Sequence, residues 1–233
     1  MQKIYFEYIK GVDFMFLKKR FEFNFYEKSI ITGFLIAILL SFINFSSHCN
    51  KISEKVLRLH VIANSDSSDD QTLKLKVRDS IIKNFEFKKF KSLEETRKFA
   101  VQNISEIKKI AQNEILKNGF DYPVDAKVCK DDFNTRTYEN ISLPAGNYET
   151  IKITIGEGKG KNWWCVMFPP MCIPAAEACA VNRSVYDKNF SQNEKNILEN
   201  KQRYKIKFKV VEIYESCHKS LRNFTKNLKN KFK

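Results

Sequence analysis

From Val56 to Phe85 the hydrophobic period of the chain changes once. Val56 to Ile62 is a compact run of mostly β-favouring apolar residues, the pattern of a strand. Beyond "ANSDSSDD", Leu73, Val77, Ile81 and Phe85 recur every four residues, which places one apolar stripe along a helix. Ser68 and Gln71 have capping-box spacing, and Asp69 and Asp70 fall in the first turn, where the helix dipole favours negative charge. Ser92 and Glu95 repeat that signal ahead of a second helix. Leu93, Ala100, Ile104, Ile107, Ala111 and Ile115 line one side of it, and Asn118-Gly119 supplies a stop. Alternation then takes over at Tyr122, Val124, Ala126 and Val128. Asp131-Asp132 reads as a turn, "FNTRTYE" as the next extended piece and "LPAGNY" as a tight turn. Ile151, Ile153 and Ile155 alternate as a further strand, and "NWWCVMF" continues as strand. Near the end "YKIKFKVV" alternates as a strand, after which Val211, Tyr214, His218, Leu221 and Leu228 fit an amphipathic helix. No repeat and no Pro/Ser-rich linker interrupts this order. The expectation is an α+β fold: one domain of two N-terminal helices, a mostly antiparallel sheet and a C-terminal helix.

Ahead of that domain, residues 29–50 contain no charged side chain, and Lys18, Lys19, Arg20 and Lys28 precede them. The apolar heart, Ile30 to Phe45, is shorter than the roughly 20 residues a spanning helix wants, and it suits a signal h-region. A basic flank stays on the cytoplasmic side, so everything after the run is expected to be exported. The organisation expected is a basic and aromatic cytoplasmic N-terminus at 1–28, a signal peptide or membrane anchor at 29–49, an exported domain at 52–218 and a basic tail at 219–233.

Charge changes this picture less than its size suggests. A net +14 first raises nucleic acid as a partner, but export removes that partner. Residues 201–233 hold 11 basic and 2 acidic side chains, so the positive charge is mostly a property of the tail. Outside the cytoplasm its counterpart would be an anionic membrane surface, an acidic wall polymer or an acidic protein. The six cysteines permit disulfides in an exported protein without forming a dense framework. Cys165, Cys172 and Cys179 are spaced by seven, which is no zinc-site spacing. No metal and no cofactor is expected.

The chain concentrates its rare residues in "IGEGKGKNWWCVMFPPMC", 155–172, which holds three of seven glycines and both tryptophans. Gly156, Gly158 and Gly160 follow a strand, as phosphate loops do. No Gly-Lys-Ser/Thr follows, however, and the next element is strand rather than helix, so a wide hairpin loop is the better account. Cys165 with His60 or His218 as base would be a nucleophile, but a thiol inside an aromatic strand is expected to be a small buried residue or half of a disulfide. Pairing to Cys172 depends on the chain turning back at Pro169-Pro170. Trp163 and Trp164 point to opposite faces of a strand. Either one fills the core while the other stands outside near Phe168 as a binding hot spot, or both are core. Pro169 and Pro170 hold the next residues, "MCIP", in an extended path. Trp163, Trp164, Phe168, Pro169 and Pro170 are therefore the candidate partner-binding residues. Cys165, Cys172, Asp66, Ser68, Gln71, Gly156, Gly158 and Gly160 are taken as structural. "NSDSSDD" has the look of an acidic metal loop, but it lacks the glycine and terminal glutamate of an EF-hand and capping accounts for it. No Ser/His/Asp signature, HExxH or carboxylate pair is found, so no catalytic residue is named.

"RLHVIANSDSSDDQTLKLKVRD" (58–79), "LPAGNYETIKITIGEGKGKNWWCVMFPPMC" (143–172) and "KFKVVEIYE" (207–215), behind an export signal, resemble the stage II sporulation protein R family of endospore-forming Firmicutes. The resemblance implies a signal rather than an enzyme. Members are made in the forespore and exported into the space between forespore and mother-cell membranes. There they activate a membrane-embedded aspartic protease, stage II sporulation protein GA, that processes the sigma-E precursor. The alternative from a different class is a secreted cell-wall-active hydrolase or glycan-binding protein, with the aromatic segment lining a glycan cleft.

Overall fold

A computed structural model describes residues 24–231 apart from Glu86, Glu139 and 171–182. Cys172, the "MCIP" segment and residues 1–23 of the N-terminus lie outside the described residues. The chain divides into two compact units, Met1–Asn44 and Phe45–Lys233.

The first unit holds most of helix α1 (Phe25–Ser53). Asn24 and Glu27 close a reciprocal cap on it, each side chain accepting from the other's backbone N–H at 2.9 and 2.8 Å. The helix is long and apolar enough to cross a membrane, and all its central backbone groups are bonded within it, as hydrocarbon requires. At 29 residues it spans about 43 Å, against about 30 Å of bilayer core. The regular element is thus longer than its apolar heart. Ile30, Phe34, Leu35, Leu39, Leu40 and Ile43 are all exposed.

The second unit is a mixed helix-and-sheet domain. Its four-stranded sheet runs β2 (Val124–Phe133), β5 (Gly146–Ile155), β1 (Leu57–Ile62), β6 (Asn162–Phe168). β2 and β6 run antiparallel to their neighbours, while β1 and β5 are parallel. A parallel pair needs a long crossover, and α2 (Ser68–Asn84), α3 (Leu93–Gln102), α4 (Ile104–Lys117) and β2 lie within it. β1 is central and every one of its residues is buried. Leu57, Leu59 and Val61 join Ile151, Ile153, Ile155, Val124, Cys165 and Met167 on one sheet face. Leu73, Val77 and Ile81 of α2, Ala100 of α3 and Ile107, Ala111 and Ile115 of α4 cover that face. The opposite face carries Arg58 and His60, and a two-stranded sheet of β3 (Arg136–Tyr138) and β4 (Ile141–Leu143) supplies residues against it. α5 (Arg183–Asn189), α6 (Gln192–Glu199) and α7 (Lys201–Lys231) complete the chain.

The structure departs from the sequence pattern in four places. α2 is capped by Ser67, not Ser68: the Ser67 hydroxyl accepts from Asp70 N–H at 3.2 Å, and Ser68 is already the first helical residue. The helix expected from Ser92 onward is two helices, because the Asn103 amide donates to Phe99 O at 2.8 Å and draws the chain out of helical geometry. Asp131-Asp132 is not a turn but part of β2, which continues to Phe133. "YKIKFKVV" is not a strand but the first turns of α7. Tyr204, Phe208 and Val211 are at helical spacing, Phe208 and Val211 are buried, and Ile206 and Val210, which a strand would have placed beside Phe208, are exposed. α7 also passes 218–219 without a break.

Candidate interaction surface

The glycine loop between β5 and β6 does not stand free. It lies against the β1–α2 turn. Gly156 N–H donates to Pro123 O (2.8 Å), Glu157 N–H to Asn64 Oδ1 (3.0 Å), Lys159 N–H to Asn64 O (3.1 Å) and Gly160 N–H to Ala63 O (2.9 Å). Lys161 N–H donates to Asp66 Oδ1 (2.7 Å), and Lys74 Nζ reaches Lys161 O (3.0 Å). This contact is what the glycines are for. Gly156 has φ +56, and a Cβ there would lie 2.2 Å from Asn64 Oδ1; a Cβ on Gly160 would lie 2.1 Å from Ser65 O. Gly158, also at positive φ, sits in the same loop beside Thr154.

The acidic turn is consumed by this joint. Asp66 holds the loop. Asp70, 3% exposed, accepts from Asn64 (3.0 Å) and Ser65 (2.5 Å). Burial would raise its carboxyl, but the hydrogen bonds from Ser65, Asn64 and Tyr122 outweigh that and hold it below the usual range. Gln71 Nε2 donates to Ser65 O at 2.8 Å. Among the described residues no group of three His, Cys, Asp or Glu side chains could hold a metal ion.

The loop delivers the chain to the two tryptophans. They face opposite sides of β6, opposite Val61 and His60, and neither is buried in the core. Trp163 is 36% exposed and lies over the guanidinium of Arg78 (4.4 Å), which is itself 3% exposed and bonded to Asp79. Trp164 is half-buried, with the Arg136 guanidinium 3.8 Å from its ring centre and His60 and Phe133 beside it. Its carbonyl accepts from Tyr138 Oη at 3.2 Å, and Tyr138 in turn accepts from Arg58. Each tryptophan is therefore pinned by an arginine from a different element, with part of its ring left open to solvent. The sequence did not point to these arginines, since each arrives from far along the chain.

Beneath Trp164 the sheet face is polar. His60 Nδ1 is 2.7 Å from Asp131 Oδ2 and His60 Nε2 2.9 Å from Asn162 Oδ1, and Lys152 Nζ donates to Asp131 at 3.0 Å. Burial would raise the Asp131 carboxyl, yet hydrogen bonds from His60 and Lys152 and their charge hold it well below the ordinary carboxylate range. Arg58 is fully buried, its guanidinium 3.9 Å from the Phe133 ring centre and 4.9 Å from that of Tyr148.

Among the described residues Cys165 is not set beside a base. Cys165 is 5% exposed and disulfide-bonded, and it faces the side of the sheet away from His60. Its partner lies outside the described residues. Phe168, at 1% exposed, belongs to the hydrophobic core, and Pro169 and Pro170 are buried after it, the Phe168–Pro169 bond being cis. These three do not offer a surface, because the chain has already entered the interior at Cys165. Of the candidate residues, Trp163 and Trp164 remain open to solvent, as do Glu157, Lys159 and Lys161 in the loop before them.

The family profile described as Stage II sporulation protein R matches residues 53–178, more than half of the chain. Stage II sporulation protein R of Bacillus subtilis (strain 168) is 42% identical over 123 residues, 52% of this chain and 55% of that protein. The chain thus spans about half the length of the curated relative it matches. No solved structure matches it.

Proposed function

Because the chain belongs to the stage II sporulation protein R family, we propose that it is an exported sporulation signal, which activates the membrane aspartic protease stage II sporulation protein GA and so drives processing of the sigma-E precursor. The observation that carries this reading is where the family match begins. Residues 53–178 start at Ser53, the last residue of α1, so the matched part comes directly after a helix fit to direct it across the forespore membrane. The chain then works by presenting shape. Trp163 and Trp164 give contact area at low conformational cost, as rings already pinned by Arg78 and Arg136 lose little freedom on docking. The glycine loop, tied to Asn64 and Asp66, fixes the approach. The chain carries out no chemistry itself. Co-expression with the protease and its sigma precursor in a host lacking all three tests this. Precursor cleavage that depends on the chain supports the reading, and cleavage of added peptidoglycan by the purified protein would replace it with a wall hydrolase.

A further inference from the structure

α7 has two apolar faces, and only one is used. Phe208 and Val211 are buried, and the Phe45 ring packs on Tyr204 (5.4 Å) and Phe208 (5.6 Å). Thr135 N–H donates to Glu212 (3.2 Å) and Arg222 pairs with Asp132 (2.8 Å), fixing the same side of the helix for several turns. On the opposite side Ile206, Val210, Ile213 and Cys217 follow at spacings of four, three and four, which forms one continuous stripe. Ile206 is 80%, Val210 41% and Ile213 56% exposed, and Cys217 is an exposed free thiol. Arg203 and Lys209, three residues either side of Ile206, border the stripe; Lys209 also meets Glu212 at 3.2 Å, an exposed pair that exchanges at little cost.

We infer that α7 lies along an anionic lipid surface, with the Ile206–Cys217 stripe set at the boundary of headgroups and acyl chains and Arg203 and Lys209 against lipid phosphates. Charge chooses this occupant. Residues 201–231 carry ten basic and two acidic side chains, so a second copy would bring like charge to the seam, while an anionic bilayer brings the opposite one. The inference rests on α1 entering a membrane, as the proposed function requires, but its test does not involve sigma processing. A signalling-dead protein that passes the test and an active one that fails it are therefore told apart.

The full chain is reconstituted into vesicles of phosphatidylcholine alone or with phosphatidylglycerol. The rate at which a water-soluble polyethylene-glycol maleimide modifies Cys217 is then read by peptide mass spectrometry, relative to Cys129 on the sheet. The expected result is at least about a fivefold slower relative rate with phosphatidylglycerol, restored by high salt and by the double substitution Ile206→Asp, Ile213→Asp. Both positions are exposed, so an unchanged melting temperature shows that the variant is folded. Equal rates in the two lipids overturn the inference. So does protection in both that grows with protein concentration and is accompanied by Cys217–Cys217 cross-links, which assigns the stripe to a second copy.

Discussion

At the scale of single residues, backbone contact decides more than side-chain chemistry. Gly160 has no room for a Cβ because Ser65 O occupies the place, and a carbonyl in a bonded turn cannot swing away as a flexible side chain can. Gly160→Ala should therefore cost about 1–3 kcal/mol, the usual range for overpacking, read as a lowered denaturation midpoint at unchanged slope. A neutral result would mean that the loop and the turn separate freely. The two tryptophans should also part company. Trp164 touches Arg136, His60 and Phe133, so Trp164→Ala should lower stability and abundance. Trp163 rests mainly on Arg78 with its outer side open. Trp163→Ala should leave melting nearly unchanged and weaken partner binding by about 2 kcal/mol, roughly thirtyfold. Parallel loss of stability in both variants would return them to the core.

At the scale of elements, a helix start is worth about 1 kcal/mol when its cap is removed. Ser67→Ala should show that loss in thermal melts and Ser68→Ala should not, since only Ser67 accepts from Asp70 N–H; the reverse order would move the cap. That one-residue difference shows where legibility ends. The strand at 57–62 and the stripe Leu73, Val77, Ile81, Phe85 were readable because each is a local period, and all of those residues are buried. "YKIKFKVV" misled because its lysines alternate as a strand would while Tyr204, Phe208 and Val211 keep the helical spacing. The contact with Phe45, more than 150 residues earlier, favours the helical period. Asp131 and Asp132 looked like a turn because two adjacent carboxylates disfavour a strand. They are tolerated by Lys152, His60, Asn147 and Arg222, none of them a sequence neighbour. In the same way the segment 155–172 announced itself by composition, but which of its residues face outward depended on the elements that meet it. Phe168, Pro169 and Pro170 went inside for that reason.

At the scale of the whole molecule, a charged layer under Trp164 joins β1, β2, β5 and β6, so the domain should respond to acid there. Asp131 is held in its ionised form by His60 and Lys152. A carboxyl with a lowered folded-state pKa contributes stability that is complete above its unfolded value of about 3.9 and is lost as pH falls below it. The stability gap between the wild type and Asp131→Asn should then shrink as pH falls below about 4; a gap unchanged down to pH 2 would show that the pair contributes nothing to folding. Along the chain, this domain comes directly after a helix fit for a bilayer, and the proposed signal is delivered from the far side of that bilayer. Delivery is tested by cleavage of the sigma precursor in cells co-expressing the protease and either the wild type or the double substitution Leu35→Arg, Leu39→Arg, at matched abundance. Cleavage is expected with the wild type, and none when the charged substitutions keep the chain in the cytoplasm. Equal cleavage from the retained protein would contradict signalling across a membrane.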